Sequence, residues 1–229
     1  MTTPPSPSLP PLLRLVNPVA ERAIVVGDPG RALELAQSLL ERPLMCNHQR
    51  GLWGYTGAWT ADGGQLTIQS LGTGAPSATV ALGELHAAGV RRAVRAGSAV
   101  ARPGRATPPD ALRVVAAAWA TDGTSRALGA TGAQRPDAGL LTRARAAGLE
   151  PVEIASVDLL PGELGATAGD LPDEVEALDR QTAAVLATAA RLGIASAAVV
   201  AFPDPTDEDE DRRAEWWRAL GEAAAAMLA

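Results

Sequence analysis

Lysine does not occur in this chain, so all twenty of its basic residues are arginine. Cysteine occurs once, at Cys46, which excludes an intrachain disulfide and fits a reducing cytoplasm. A lone thiol of this kind reads as a buried, inert side chain rather than a reactive one. Aromatic residues make up only 3% of the sequence while alanine is abundant, so the core must be built from small aliphatic groups. No apolar stretch reaches the length of a membrane-spanning helix. The segment from Met1 to Pro11 lacks the basic start and apolar run of a secretory signal and reads as a flexible tail. A net charge of -6 argues for solubility and against a general nucleic-acid or membrane surface. No grouping of histidine, cysteine and carboxylates points to a metal.

What is present is 229 residues, 47% of them hydrophobic, enough for one sizeable domain and a full core. Short β-rich runs stand at Ala23–Val26, Leu66–Gln69, Ala93–Arg95, Val114–Ala118, Pro151–Val157 and Ala197–Phe202. Helical patterns lie between several of them, at Arg31–Leu40, Ser77–Ala88, Ala138–Ala147, Glu174–Leu192 and Arg213–Leu228. The alternation predicts a single α/β domain over residues 12–229, a three-layer α/β/α arrangement around a central mixed, mostly parallel sheet. Tyr55 to Gln69 reads as a hairpin turning at Asp62-Gly63-Gly64. Acids fill six of the eight positions from Asp204 to Asp211, as expected of a solvated loop leading into a helix N-terminus. Trp216 and Trp217, in that last helix, read as packing residues rather than a ligand platform.

Two turns carry the chemistry. Gly27-Asp28-Pro29-Gly30-Arg31 follows the first apolar run and precedes a helix. Such a turn aims backbone N–H groups at one point, and its arginine adds a planar fork suited to phosphate. Strand–turn–helix junctions also contain glycine and proline for geometry alone, so the turn by itself leaves both readings open. A second arginine turn, Arg95-Ala96-Gly97-Ser98, stands at the end of another short strand. In α/β folds ligands collect at such carboxyl ends of strands.

With their surroundings, these turns resemble the nucleoside phosphorylases of the purine nucleoside and uridine phosphorylase type. The resemblance runs through Gly27 to Arg31, then Arg50-Gly51-Leu52-Trp53-Gly54-Tyr55-Thr56-Gly57 and Gly72-Thr73-Gly74-Ala75-Pro76-Ser77. It continues in Glu84-Leu85, in Arg95 to Ser98, in Asp122-Gly123-Thr124-Ser125 and in Asp179-Arg180-Gln181-Thr182-Ala183-Ala184. The order and spacing fit from about Arg14 to the C-terminal helix.

The resemblance implies a phosphate site made of Gly27, Arg31, Arg95 and Ser98, with Arg50 reaching the phosphate of a neighbouring subunit. It therefore also implies a homo-oligomer, a dimer or a hexameric trimer of dimers. Thr73, Ala99, Arg180 and Gln181 fall where ribose and base are held, and Asp204 where purine-cleaving members carry an acid. Protonation of the base needs that aspartate to have a raised pKa. An aspartate among six acids is also a coincidence that the sequence alone leaves open.

Several positions depart from the family pattern. Arg180-Gln181 stand where Met-Glu is usual, so an anion is lost and a cation gained near the sugar. Thr73 replaces a usual methionine, and Ala99-Val100 follow Ser98 where the family turn is richer in glycine. No histidine stands near the chain start, where Leu12-Leu13-Arg14 are found; His86 reads as structural, and His48 lies beside Arg50.

The expected activity is phosphorolysis of a purine or pyrimidine nucleoside to free base and pentose 1-phosphate, with inorganic phosphate as co-substrate and no cofactor. Its expected setting is cytoplasmic nucleoside salvage. The altered ribose site keeps two alternatives in view: a catalytically degenerate homologue that binds phosphate or a phosphorylated ligand, and a nucleosidase that uses water.

Overall fold

The computed structural model describes residues 10–106, 111–203 and 209–229. Its first half runs β1 (Arg22–Val26), α1 (Pro29–Leu39), β2 (Leu40–Asn47), β3 (Gly54–Trp59), β4 (Gln65–Ser70), α2 (Ala75–Ala87) and β5 (Arg92–Ser98). The second half begins with β6 (Val100–Ala101), β7 (Leu112–Ala120), α3 (Gly123–Ala127), β8 (Ala133–Gln134) and α4 (Ala138–Ala146). It continues with β9 (Glu150–Ser156), β10 (Ala177–Asp179), α5 (Thr182–Leu192), β11 (Ala195–Ala201) and α6 (Glu210–Leu228).

One mixed sheet joins the strands in the order β2-β3-β4-β1-β5-β11-β7-β9-β10-β6, with β8 on β7. β4, β1, β5 and β11 form one parallel block, and β7, β9 and β10 form a second. The two blocks meet where β11 and β7 pair antiparallel. The β2-β3-β4 flank and the β10–β6 edge are also antiparallel.

Side chains alternate across this sheet as the pleat requires. Ile24, Val26, Val94, Ala96, Ala197 and Val199 pack on α1, α4 and α6. On the opposite face, Ala23, Val25 and Ala93 pack with α2 and α5, and Ala198 and Val200 with the start of α5. Both faces are covered, so the central strands read as unbroken apolar runs. In α1 the buried residues Ala32, Leu35, Ala36 and Leu39 follow helical spacing. Asp28 accepts the Arg31 N–H to cap that helix, and Pro29 takes the first turn, where its missing N–H costs nothing.

The expected hairpin is present, and it is tied to the sheet's centre. Arg22 donates to both oxygens of Asp62 at 2.6 Å, which holds that carboxyl below its ordinary range. The same guanidinium lies over the Trp59 ring, 5.4 Å from its centroid. Cys46 is fully buried, and burial pushes its thiol pKa up.

The short elements β6, α3 and β8 stand outside the sequence reading, and two larger differences from it concern β2 and α5. β2 follows α1 with no glycine between them, and its pattern is broken by Pro43 and by irregular register at Glu41/Leu44 and Met45/Asn47. Proline is tolerated on such an edge strand at a bulge. The helix expected from Glu174 begins only at Thr182, because Ala177–Asp179 join the sheet first. There the Asp179 carboxylate accepts the Thr182 N–H at 3.1 Å and so marks the helix start.

Close packing is sharpest at Gly54. A Cβ at this position would collide with the Gln69 carboxamide and crowd the Cys46 sulfur. Gln69 cannot swing aside freely, because its Nε2 donates to the Leu52 and Ser70 carbonyls, each at 2.8 Å. Gly54→Ala is therefore expected to destabilise the fold by about 1–3 kcal/mol through overpacking. Urea unfolding that gave the same midpoint as the natural chain would contradict this packing.

Candidate active site

β1 and β5 are parallel neighbours, so the turns that leave their carboxyl ends lie side by side. Together they open a cleft of about 180 Å³. Of the residues singled out in the sequence, Gly27, Arg31, Thr73, Arg95, Ser98, Ala99, Arg180 and Gln181 all line it. Residues distant in sequence meet here because β10 and the start of α5 close the side opposite the two turns.

Arg95 is the anchor. It lies on the sheet between Val25 and Ala198 and is only 4% exposed. Its guanidinium folds back over Gly97, where any Cβ would collide with it. Glycine is needed at that position for space rather than for its backbone freedom. Arg95 pairs with Asp179 at 3.0 Å, and Asp179 is itself 3% exposed. Desolvation lowers the Arg95 pKa, and the Asp179 charge opposes that shift.

Asp179 also accepts from the hydroxyls of Ser156 and Thr182, each at 2.5 Å, so its oxygens are fully engaged. Ser156 in turn accepts the Ala183 N–H at 2.8 Å. Arg95 is left with Nε and Nη1 buried and without an acceptor among the described residues.

Arg31 approaches the same cleft from the first turn of α1. Its guanidinium carbon lies 3.2 Å from the centroid of the Trp217 ring of α6, a stacked cation–π contact. Burial lowers its pKa to about 10, so it remains charged at neutral pH. Its Nε is also buried and lacks an acceptor among the described residues.

On the other wall, Gln181 donates Nε2 to the Gly72 carbonyl at 2.9 Å. That carbonyl can only accept, so the bond fixes the amide orientation and leaves Oε1 as the free end. Oε1 is buried and has no donor among the described residues. It is a single neutral acceptor in a residue only 3% exposed. Arg180 lines the cleft too, but its charge is paired with Glu163 at the half-exposed rim. Glu163 also accepts the Leu160 N–H at 2.7 Å, which ties the rim loop to the same pair.

Other sequence candidates fall elsewhere. Arg50 is exposed on a short turn after β2, at a left-handed φ of 56°, and does not line this cleft. His48, also exposed, immediately precedes that turn. His86 sits in α2 beside the Val90 carbonyl and Arg91, outside the cleft lining. Glu84 accepts the N–H groups of Leu12 and Leu13 at 2.7 and 2.6 Å and so pins that segment to α2. Asp204 lies outside the described residues.

Sequence reasoning missed Asp179 and Glu163 as site residues. Asp179 stands in a quoted motif, yet nothing in the sequence pairs it with Arg95. Glu163 lies in a stretch with no periodic pattern at all. Among the described residues, no group of three or more His, Cys, Asp or Glu is placed to hold a metal ion. None of the described helices is long and apolar enough to cross a membrane.

The chain resembles the purine nucleoside phosphorylase DeoD-type of Clostridium perfringens, with 39% identity over 82 residues that cover 35% of this chain and 34% of the relative. It resembles that of Oceanobacillus iheyensis with 36% identity over 81 residues, again 35% and 34% of the two chains. The matched stretch thus spans about a third of the length of these curated relatives. No family model matches the chain. A crystal structure of uridine phosphorylase from Vibrio fischeri superposes with a TM-score of 0.74 at 21% identity, over 92% of this chain and 91% of the other. About a third of the chain is thus similar to these nucleoside phosphorylases. The fold is that of the uridine phosphorylase neighbour, a mixed sheet with helices on both sides.

The Arg95–Asp179 pair carries a clear expectation. Asp179→Ala leaves a buried guanidinium uncompensated and strips Ser156 and Thr182 of their acceptor, so a loss of about 3–5 kcal/mol is expected. Denaturant unfolding measures it, and a loss below about 1 kcal/mol would mean that Arg95 does not depend on this partner.

Proposed function

We propose that the chain is a nucleoside phosphorylase, cleaving a purine or pyrimidine nucleoside with inorganic phosphate to give free base and pentose 1-phosphate. The observation that carries this reading is a set of donors on two arginines that line one cleft: Arg31 Nε, Arg95 Nε and Arg95 Nη1 are buried and have no acceptor among the described residues. Buried donors without acceptors are costly, and several of them on residues lining one cleft suit an oxyanion. Ser98 and the Gly27 turn border the same space.

In this reaction a phosphate oxygen forms a bond to the anomeric carbon as the bond from that carbon to the base nitrogen breaks. The electron pair leaves with the base, which takes up a proton. Positive charge develops on the sugar, and the adjacent phosphate stabilises it. Arg31, Arg95 and Ser98 hold the phosphate. Gln181 Oε1 accepts from a sugar hydroxyl, while Thr73 and Ala99 border the sugar and base. Asp204 is the proposed acid for the leaving base.

Arg180 would oppose a cation-like sugar if it pointed there unpaired. Its salt bridge with Glu163 draws that charge to the rim and reduces the penalty. No cofactor takes part. Arg50 completes the phosphate site of a neighbouring copy, so the proposed working form is a homo-oligomer, a dimer or a trimer of dimers. The proposed setting is nucleoside salvage in the cytoplasm.

A second reading is favoured by one observation. Gln181 offers a neutral acceptor where a charged one would bind sugar hydroxyls more strongly, by about 1 kcal/mol per bond. The chain would then bind phosphate or a phosphorylated ligand with little turnover. The nucleosidase alternative is weaker, because attack by water gives no use to the guanidinium donors of Arg31 and Arg95 at the cleft.

Arg95→Ala is expected to weaken phosphate binding by about tenfold or more. Titration calorimetry measures it, and equal affinity in the variant would remove the phosphate assignment. A panel of purine and pyrimidine nucleosides, assayed for base release with and without phosphate, separates the three activities: phosphorolysis needs phosphate, hydrolysis does not, and a degenerate site gives neither.

The double change Arg180→Met and Gln181→Glu is expected to raise kcat/KM for at least one ribonucleoside. No gain for any nucleoside would mean that the natural pair does not limit turnover.

A further inference from the structure

We infer that Trp217 is a positioning residue for the anion grip, a role that rests on the phosphate reading above. Its indole holds the Arg31 guanidinium flat and so keeps the edge of that group turned to the cleft.

The geometry is specific. The guanidinium carbon of Arg31 stands 3.2 Å from the centre of the Trp217 ring, so the two planes are in face contact. A guanidinium stacked on one face keeps all its N–H groups in its own plane, where they remain free to donate. Arg31 lines the cleft and Trp217 does not, which puts the indole behind the arginine. Nε of Arg31 is buried and has no acceptor among the described residues, so no hydrogen bond to any of them from that atom fixes the side chain. Trp216 stands against Trp217, with ring centroids 4.5 Å apart and planes at 59°, and limits its movement.

Competing partners exist for an unstacked Arg31. Asp28 shares its turn, although one Asp28 oxygen is committed to the Arg31 N–H at 2.8 Å. Glu34 follows one turn later on α1 and borders the hollow beside Trp217 with Glu210 and Asp211. Without the indole, Arg31 can turn to these carboxylates and leave the cleft. The aromatic face competes for the cation and does so without taking up its donors. A tryptophan that only filled space would be replaceable by any side chain of similar bulk.

The test compares Trp217→Phe with Trp217→Leu in the full chain, using inorganic phosphate in titration calorimetry and thermal unfolding in parallel. Phe keeps an aromatic face; Leu keeps apolar bulk alone. The expected result is phosphate affinity within about twofold of the natural chain for Phe, and about threefold to tenfold weaker for Leu. In turnover assays the Leu variant should raise KM for phosphate and leave KM for the nucleoside unchanged.

The inference is overturned if the Leu variant binds phosphate as the natural chain does, or if Phe and Leu weaken it equally in step with lost stability. If the natural chain binds no phosphate, the phosphate reading falls and this role falls with it. If the natural chain binds phosphate and the Leu variant is unaffected, only the positioning role falls.

Discussion

The buried pair of Arg95 and Asp179 is the constraint on which the rest of the site depends. Burying either charge alone would be prohibitive, and burying both is tolerable only with good geometry and further hydrogen bonds. Asp179 meets that condition through Ser156, Thr182 and the backbone at the start of α5. Arg95 meets it only in part, with two nitrogens unpaired among the described residues. Arg95 is also a lining residue of the cleft. The fold therefore supplies the stability of one ion, and the unfilled capacity of the other is what a ligand can use.

The same pair explains how distant segments are held together. Arg95 belongs to the first parallel block of the sheet, and Asp179 to the end of β10 in the second. The blocks join through the antiparallel β11–β7 contact, and the ion pair spans from one block to the other. Gly97 contributes by having no side chain, since a methyl group there would displace the guanidinium. A residue chosen for the space it leaves, a buried acid and a helix start thus act as one local arrangement.

Much of this was legible in the sequence, for physical reasons that can be named. The apolar runs of β1, β5 and β11 stand out because both faces of those strands are buried. The arginine turns stand out because glycine and proline punctuate the ends of such strands. β2 was not legible: it is an exposed edge with a proline and irregular register, so no period survives in its sequence. The start of α5 was misplaced because Glu174 to Asp179 contains no glycine or proline after Pro172 to stop a helix pattern, and only sheet pairing decides otherwise. Within the site, the cleft-lining residues were found by motif. The partners Asp179 and Glu163 were not, because pairing across more than fifteen residues leaves no local trace.

Charge balance gives the cleft its character. Arg95 is matched by Asp179 and Arg180 by Glu163, while the Arg31 guanidinium lies on an aromatic face and feels the charge of nearby Asp28. The pocket therefore holds three guanidinium groups without a large excess of positive field, in a chain whose net charge is -6. Affinity for an anion in such a place comes from directed donors rather than from long-range attraction. Directed donors discriminate by shape: a tetrahedral oxyanion can meet several fixed N–H groups at once, whereas a chloride ion meets them with one centre. Under the proposed phosphorolysis, such a site would hold phosphate in one orientation, as a nucleophile must be held if its oxygen is to reach a sugar carbon in line with the departing base.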